Sequence, residues 1–176
     1  MSLIKEENII NIVMFGDSLI EYGEWKELID TNNNILNRGI SGDTTKGLLN
    51  RVDSIGTNVK KTFLMIGVND LFMGVSVDKI FSNYKEIAER LAKKNIKLII
   101  MSTLYTGATY AQYYNKDIEK LNELILNYAK NKNILYLNIN SILAKENILE
   151  GIYSLDGVHL NYDGYLKWSS FISKYF

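Results

Sequence analysis

The chain has 176 residues, 47% hydrophobic and 23% charged, and its 20 Lys+Arg balance its 20 Asp+Glu to a formal net charge of zero. That composition suits one globular domain over residues 1–176, and the absence of like-charge blocks argues against a nucleic-acid stripe or an anionic-membrane patch. The lack of cysteine excludes disulfides, thiolate catalysis and zinc–thiolate sites. A single histidine excludes a histidine-rich metal centre, though a carboxylate site for a hard cation stays open.

From its start, Met1 to Asn8 lacks the basic-then-apolar order of a secretion signal. No apolar run approaches the length of a membrane span, so a cytoplasmic protein without an integral membrane segment is expected. Apolar runs suited to buried strands then recur: Ile9–Phe15, the short Ile35–Leu36, Thr62–Ile66, Ile96–Ser102 and Ile134–Ile139. Short, near-continuous Ile/Leu/Val runs indicate strands covered on both faces, as in a parallel sheet. Between them, Val77–Lys94 carries Ile80, Phe81, Tyr84, Ile87, Ala88 and Leu91 on one helical stripe. Lys116–Lys130 does the same with Ile118, Leu121, Leu124, Ile125 and Tyr128. Alternating strand and helix without proline or linker predicts an α/β layered sheet with right-handed crossovers. Its site should lie beyond the carboxyl ends of the strands.

Ser18, Gly42, Asn69 and the segment 103–114 each follow a predicted strand and should converge there. Ser18 stands three residues past Phe15, where Gly16 gives freedom for a sharp turn. A serine at a strand-to-helix turn presents its hydroxyl above the sheet; helix N-capping is the other use of serine and aspartate at such a place. Asn37 to Thr45 reads as a tight loop feeding a helix, in which the unshielded Gly42 N–H can approach a substrate, or else as a plain turn and cap. In Gly67-Val68-Asn69-Asp70 the asparagine amide could donate to a substrate or merely form an Asx-turn. Asp156 and His159, three apart, can share one face. The carboxylate would then hold Nδ1–H and turn Nε2 toward a serine, as in a Ser-His-Asp triad; a surface histidine is the alternative.

Taken together, Gly16-Asp17-Ser18-Leu19, Gly42 within Ile40-Ser41-Gly42-Asp43-Thr44, Gly67-Val68-Asn69-Asp70 and Asp156-Gly157-Val158-His159 resemble the signature blocks of the SGNH hydrolases, also called GDSL lipases or esterases. They occur in the family's order over Ile12 to Trp168. The phrasing of the second and fourth blocks is closest to the branch similar to platelet-activating-factor acetylhydrolase subunits and bacterial acylhydrolases. The resemblance implies a flavodoxin-like three-layer αβα sandwich with a five-stranded parallel sheet. It implies Ser18 as nucleophile, His159 as general base and acid, and Asp156 as its orienting partner. The oxyanion hole would comprise the N–H groups of Ser18 and Gly42 and the Asn69 amide. Neither metal nor organic cofactor is called for.

The expected activity is hydrolysis of carboxylic esters through an acyl-enzyme, on short-chain or soluble esters. Candidates for the substrate pocket are Asp17, Asp70, Phe72, Tyr105, Tyr110 and Val158, with Asp17 and Asp70 expected to hold loop geometry rather than touch the reacting carbonyl. The segment 103–114, with four tyrosines, is either an amphipathic wall of the site or a loop packed over the sheet edge. Trp25, Trp168, Phe171, Ile172, Tyr175 and Phe176 are assigned to the core, with a homodimer contact as the alternative. Rival functions are a carbohydrate acetylesterase, a lysophospholipase or thioesterase of the same fold, and a non-catalytic carbohydrate-binding relative. A phosphate-binding flavodoxin-like protein is disfavoured because no Gly-x-Gly-x-x-Gly or Gly-x-x-x-x-Gly-Lys occurs.

Overall fold

A computed structural model describes residues 10–176. Its centre is strand β1 (Asn11–Gly16), flanked by β2 (Asn34–Gly39) and β3 (Val59–Met65), both parallel to it. With β4 (Lys97–Met101) and β5 (Leu135–Leu137) the sheet is five-stranded and parallel, in the order β2-β1-β3-β4-β5. Ile12 to Phe15 are at most 2% exposed, as a strand covered on both faces requires. Strand order reverses between β1 and β3, so the loops leaving these strands diverge and open a crevice at their carboxyl ends.

Helices cover the sheet in two groups. In one, α5 (Val77–Lys93) packs on α3 (Thr45–Arg51) and on α6 (Ala108–Asn131), which also meets α4 (Val68–Phe72). In the other, α8 (Tyr162–Ile172) packs on α2 (Trp25–Leu28) and α7 (Asn140–Leu143). The alternation of β3 shows how the faces divide: the Phe63 ring stacks on Phe176 at 4.4 Å, while the next residue, Leu64, offers its carbonyl to the Tyr84 hydroxyl of α5. The stripe predicted for 77–94 is the buried face of α5, and the Ser76 hydroxyl caps its start. A short helix α1 (Ser18–Glu21) follows β1, and a hairpin of β6 (Ala144–Lys145) and β7 (Ile148–Leu149) precedes α8.

Several boundaries differ from the sequence expectation. The first predicted strand begins at Ile9, which lies outside the described residues. β2 extends over six residues rather than two; it is an edge strand with only Ile35 buried, so its apolar signal is thin. Helix α6 starts eight residues before Lys116 and absorbs most of the tyrosine-rich segment. Its first two turns bury only Asn115, which holds Thr106 and the Asn147 carbonyl, so no apolar period announces them. Trp25 and Trp168 meet edge-to-face at 4.9 Å in the core, and Phe171, Ile172, Tyr175 and Phe176 pack there too. Among the described residues, no helix is long and apolar enough to cross a membrane.

Candidate active site

Asp17, not Ser18, caps α1. Its Oδ1 accepts the Leu19 N–H at 3.0 Å, which leaves the Ser18 hydroxyl free for another partner. That partner is His159: Ser18 Oγ and His159 Nε2 stand 3.1 Å apart across 141 positions of sequence. On the far side of the ring, Nδ1 lies 2.7 Å from Asp156 Oδ2, while Asp156 Oδ1 accepts the N–H groups of Val158 and His159 at 2.8 Å each. Burial alone would raise the Asp156 pKa; the bonds from the His159 ring and from the His159 and Val158 backbone outweigh it and bring the pKa down to about 2. An ionised carboxylate only accepts, so the ring proton belongs on Nδ1 and Nε2 is the acceptor facing the serine.

The space at Gly16 is used differently from the sequence expectation. Its φ is not positive; instead, a Cβ there would collide with the Met65 carbonyl and Ile20. Glycine is needed so that α1 and β3 can close on the strand end, not to turn the chain. Gly42 does need its freedom: φ is +75°, and nothing stands within 4 Å of where a side chain would begin. Ser18, as the first residue of α1, keeps an N–H with no acceptor inside the helix.

The loop carrying Gly42 is clamped from both sides. The Ser41 N–H and hydroxyl both donate to Glu21 of α1, the former at 2.7 Å, and Ser41 Oγ lies 2.9 Å from the Tyr22 hydroxyl. From α4, Asn69 Nδ2 donates to the Asp43 carbonyl at 2.9 Å, which uses one of its two N–H bonds and leaves the other. Arg51 then ties the loop to the sheet. Its Nε donates to Asp43 Oδ2 at 2.7 Å and its terminal nitrogens to the Arg38 and Gly16 carbonyls at 2.8 and 2.9 Å, with the guanidinium 4.5 Å above the Phe15 ring. Beneath lies a buried polar layer: Asp70 accepts from Thr45 N–H and hydroxyl, and Asn83 of α5 donates to the same hydroxyl.

Of the pocket candidates, Asp17 and Asp70 are each 1% exposed, Asp17 Oδ1 accepting the Leu19 N–H and Asp70 the Thr45 N–H and hydroxyl. Among the described residues Asp17 Oδ2 has no hydrogen-bond partner, and burial pushes the Asp17 pKa up to about 7. Val158 belongs to the histidine loop through its bond to Asp156. Tyr110 lies against that loop: a Cβ on Gly157 would stand 3.3 Å from its ring. Phe72 meets Tyr114 at 4.7 Å beside the turn bearing Asn69. Tyr105 is a correction. It lines a separate cavity with Tyr136, Asn140 and Glu119, with its N–H held by Asn140 and that of Thr103 by Asn122, whereas Gly107 and Tyr110 further along the segment meet the histidine loop. Sequence reasoning missed Glu21, Tyr22, Arg51 and Thr45, whose partners lie 8 to 38 positions away and leave no local signal.

Residues 14–167 match the GDSL-like lipase/acylhydrolase family, and the chain belongs to it. A Streptococcus pneumonia protein described as a "putative platelet activating factor" is similar in structure, with a TM-score of 0.86 and 29% identity over 98% of this chain and 86% of that one. So is a GDSL-like lipase from Bacteroides thetaiotaomicron, with a TM-score of 0.81 and 27% identity over 94% and 86% of the two chains. An N-acylneuraminate cytidylyltransferase from Streptococcus agalactiae is 34% identical over 143 residues, 81% of this chain. The chain spans about a third of the length of the curated relatives it matches. An acetyl xylan esterase, 21% identical over 94% of this chain and 99% of that one, shares the fold with a TM-score of 0.82.

Proposed function

We propose that the chain acts as one serine esterase domain in which Ser18, His159 and Asp156 form the triad, working on short-chain or soluble esters. The observation that carries this is the unbroken relay of 3.1 and 2.7 Å from hydroxyl through imidazole to carboxylate. Ser18 Oγ attacks the ester carbonyl carbon as its proton passes to His159 Nε2. The carbonyl electron pair moves to oxygen, and the N–H groups of Ser18 and Gly42 and the free Asn69 amide N–H stabilise that charge. As the tetrahedral species collapses, the C–O bond to the alcohol breaks and Nε2 returns the proton to the departing oxygen. A water then repeats the sequence, giving its proton to Nε2, and releases the acid and the free serine.

Short connections ring the triad: only residues 40–44 separate β2 from α3, and residues 66 and 67 separate β3 from α4. Loops of that length build no deep acyl tunnel, which favours small acyl groups. An ester carried on a sugar is the second reading, favoured by the similarity to proteins named for N-acylneuraminate and, in fold, to an acetyl xylan esterase. The deciding experiment is hydrolysis of p-nitrophenyl acetate and of an O-acetylated sugar by wild type and Ser18→Ala, with fluorophosphonate labelling of both proteins. The triad assignment fails if Ser18→Ala hydrolyses or labels like wild type.

A further inference from the structure

We infer that the apolar groove beside the His159 ring is the subsite for the alcohol portion of the ester, and that it selects alkyl or aryl alcohols. This rests on the triad assignment above. The groove is a cavity of about 400 Å³ whose lining is mostly apolar, from Tyr22, Leu28, Leu155, Leu160, Tyr162 and Tyr165, with Glu24 and Asn161 the other two lining residues. Asn161 is already committed, its amide donating to the Ile152 carbonyl and its oxygen accepting the Gly164 N–H. The Tyr165 hydroxyl donates to the Leu19 carbonyl at 2.8 Å. Little polar capacity faces the cavity, so its occupant is apolar.

Its position decides which part of the substrate it takes. Tyr22 lies one helical turn beyond Ser18, donating its N–H to the Ser18 carbonyl, and its ring centroid is 5.5 Å from that of His159. Leu155 and Leu160 flank His159 in the chain, and Leu155 N–H bonds to the His159 carbonyl. The groove reaches the imidazole through Tyr22, Leu155 and Leu160, while the Tyr22 hydroxyl, bonded to Ser41, marks where it meets the clamped loop of Gly42. The proton that leaves Nε2 must reach the departing oxygen, so the alcohol portion leaves on the imidazole side. Among the described residues, Tyr22, Leu155 and Tyr162 remain 52%, 73% and 70% exposed, large apolar side chains held at the rim.

The test holds the acyl group at acetyl and compares ethyl, butyl and hexyl acetate, then holds the alcohol at ethyl and compares acetate with hexanoate. Each buried methylene should raise kcat/KM about threefold, so hexyl acetate should exceed ethyl acetate by at least about tenfold. Leu155→Ser and Tyr162→Ser, both at exposed positions, should each lower the hexyl-to-ethyl ratio several-fold while the hexanoate-to-acetate ratio stays put. A ratio that neither variant moves overturns the groove assignment alone. A change in the acyl-length ratio instead assigns the groove to the acyl chain. Rates that rise only once the ester forms a separate phase assign it to a lipid surface, and a dimer dissociated by Leu155→Ser assigns it to a second copy; either result overturns the inference. If wild type turns over neither ester and fluorophosphonate does not label Ser18, the esterase assignment fails and the groove with it.

Discussion

The two halves of the proposed triad are built to different standards. The serine half sits on strand ends over a buried polar layer, where Asp17, Thr45, Asp70 and Asn83 are at most 5% exposed and Arg51 spans three segments. The histidine half is a surface loop whose Asp156 and His159 side chains are 52% and 31% exposed. That loop is held by fewer ties: the Ser154 hydroxyl donates to the His159 carbonyl and accepts the Gly157 N–H, and Gly157 accepts from Gly107 N–H. The difference teaches where precision is needed. Oxyanion donors must be fixed before charge develops, whereas an imidazole that shuttles a proton needs only the correct ring orientation and a short reach.

The largest expected effect erases the comparison, since the proposed relay needs both halves. Ser18→Ala and His159→Ala should each remove about 10⁴ or more of kcat, and the double variant should cost little beyond either. Steady-state kinetics on p-nitrophenyl acetate measures this, and additive losses would show that the two groups do not act as a unit. Next, Asn69→Ala removes one oxyanion donor and should lower kcat by about 10²–10³ with KM little changed. A loss confined to KM would place Asn69 in ground-state binding instead.

Smaller effects sharpen the contrast between buried and exposed halves. Asp70→Ala strands the Thr45 N–H and hydroxyl in the interior and should destabilise by about 3 kcal/mol in urea unfolding, lowering activity through lost structure. Ser154→Ala should destabilise by only about 1 kcal/mol yet lower kcat by about tenfold, because it loosens the loop that aims the ring. If the two variants lose stability equally, the halves are not built differently.

Acid–base behaviour separates them by sign. Asp17 has a folded pKa of about 7 against an ordinary 3.8, so its contribution is complete below 3.8 and is lost as pH rises through 7. Asp156, at about 2, contributes above 3.8 and loses that contribution as pH falls toward 2. Melting temperatures from pH 4 to 9 should therefore show wild type losing stability between about pH 4 and 7 relative to Asp17→Asn, which keeps the oxygen that caps α1. Parallel curves for the two proteins would show that Asp17 does not titrate in this range.

Local pattern made much of this protein legible. The strands β1, β3 and β4 and the face of α5 were visible as apolar runs or as a 3.6-residue stripe, because burial on both faces or on one stripe dictates residue type directly. Edge strand β2 and the first turns of α6 were not, since an element that buries one residue or a lone asparagine leaves no periodic trace. At the site, the four short blocks singled out Ser18, Gly42, Asn69, Asp156 and His159, the residues of the proposed triad and oxyanion hole. The supporting set of Glu21, Tyr22, Thr45 and Arg51 went unread, for their roles exist only through partners on other elements. Tyr105 was misplaced for the same reason: a strand end specifies where a segment starts, not which way its hydrogen bonds will turn it.

Composition and spacing alone determined the α/β class, the chemistry on offer and the one imidazole available for it. Tertiary structure decided that this imidazole meets a hydroxyl 141 positions away, that Asp17 rather than Ser18 does the capping, and that an apolar groove opens on the imidazole's side. Residue types carry chemical capacity and local periodicity. Distance and direction between remote side chains arise only when the sheet order and its crossovers bring strand ends to a common edge.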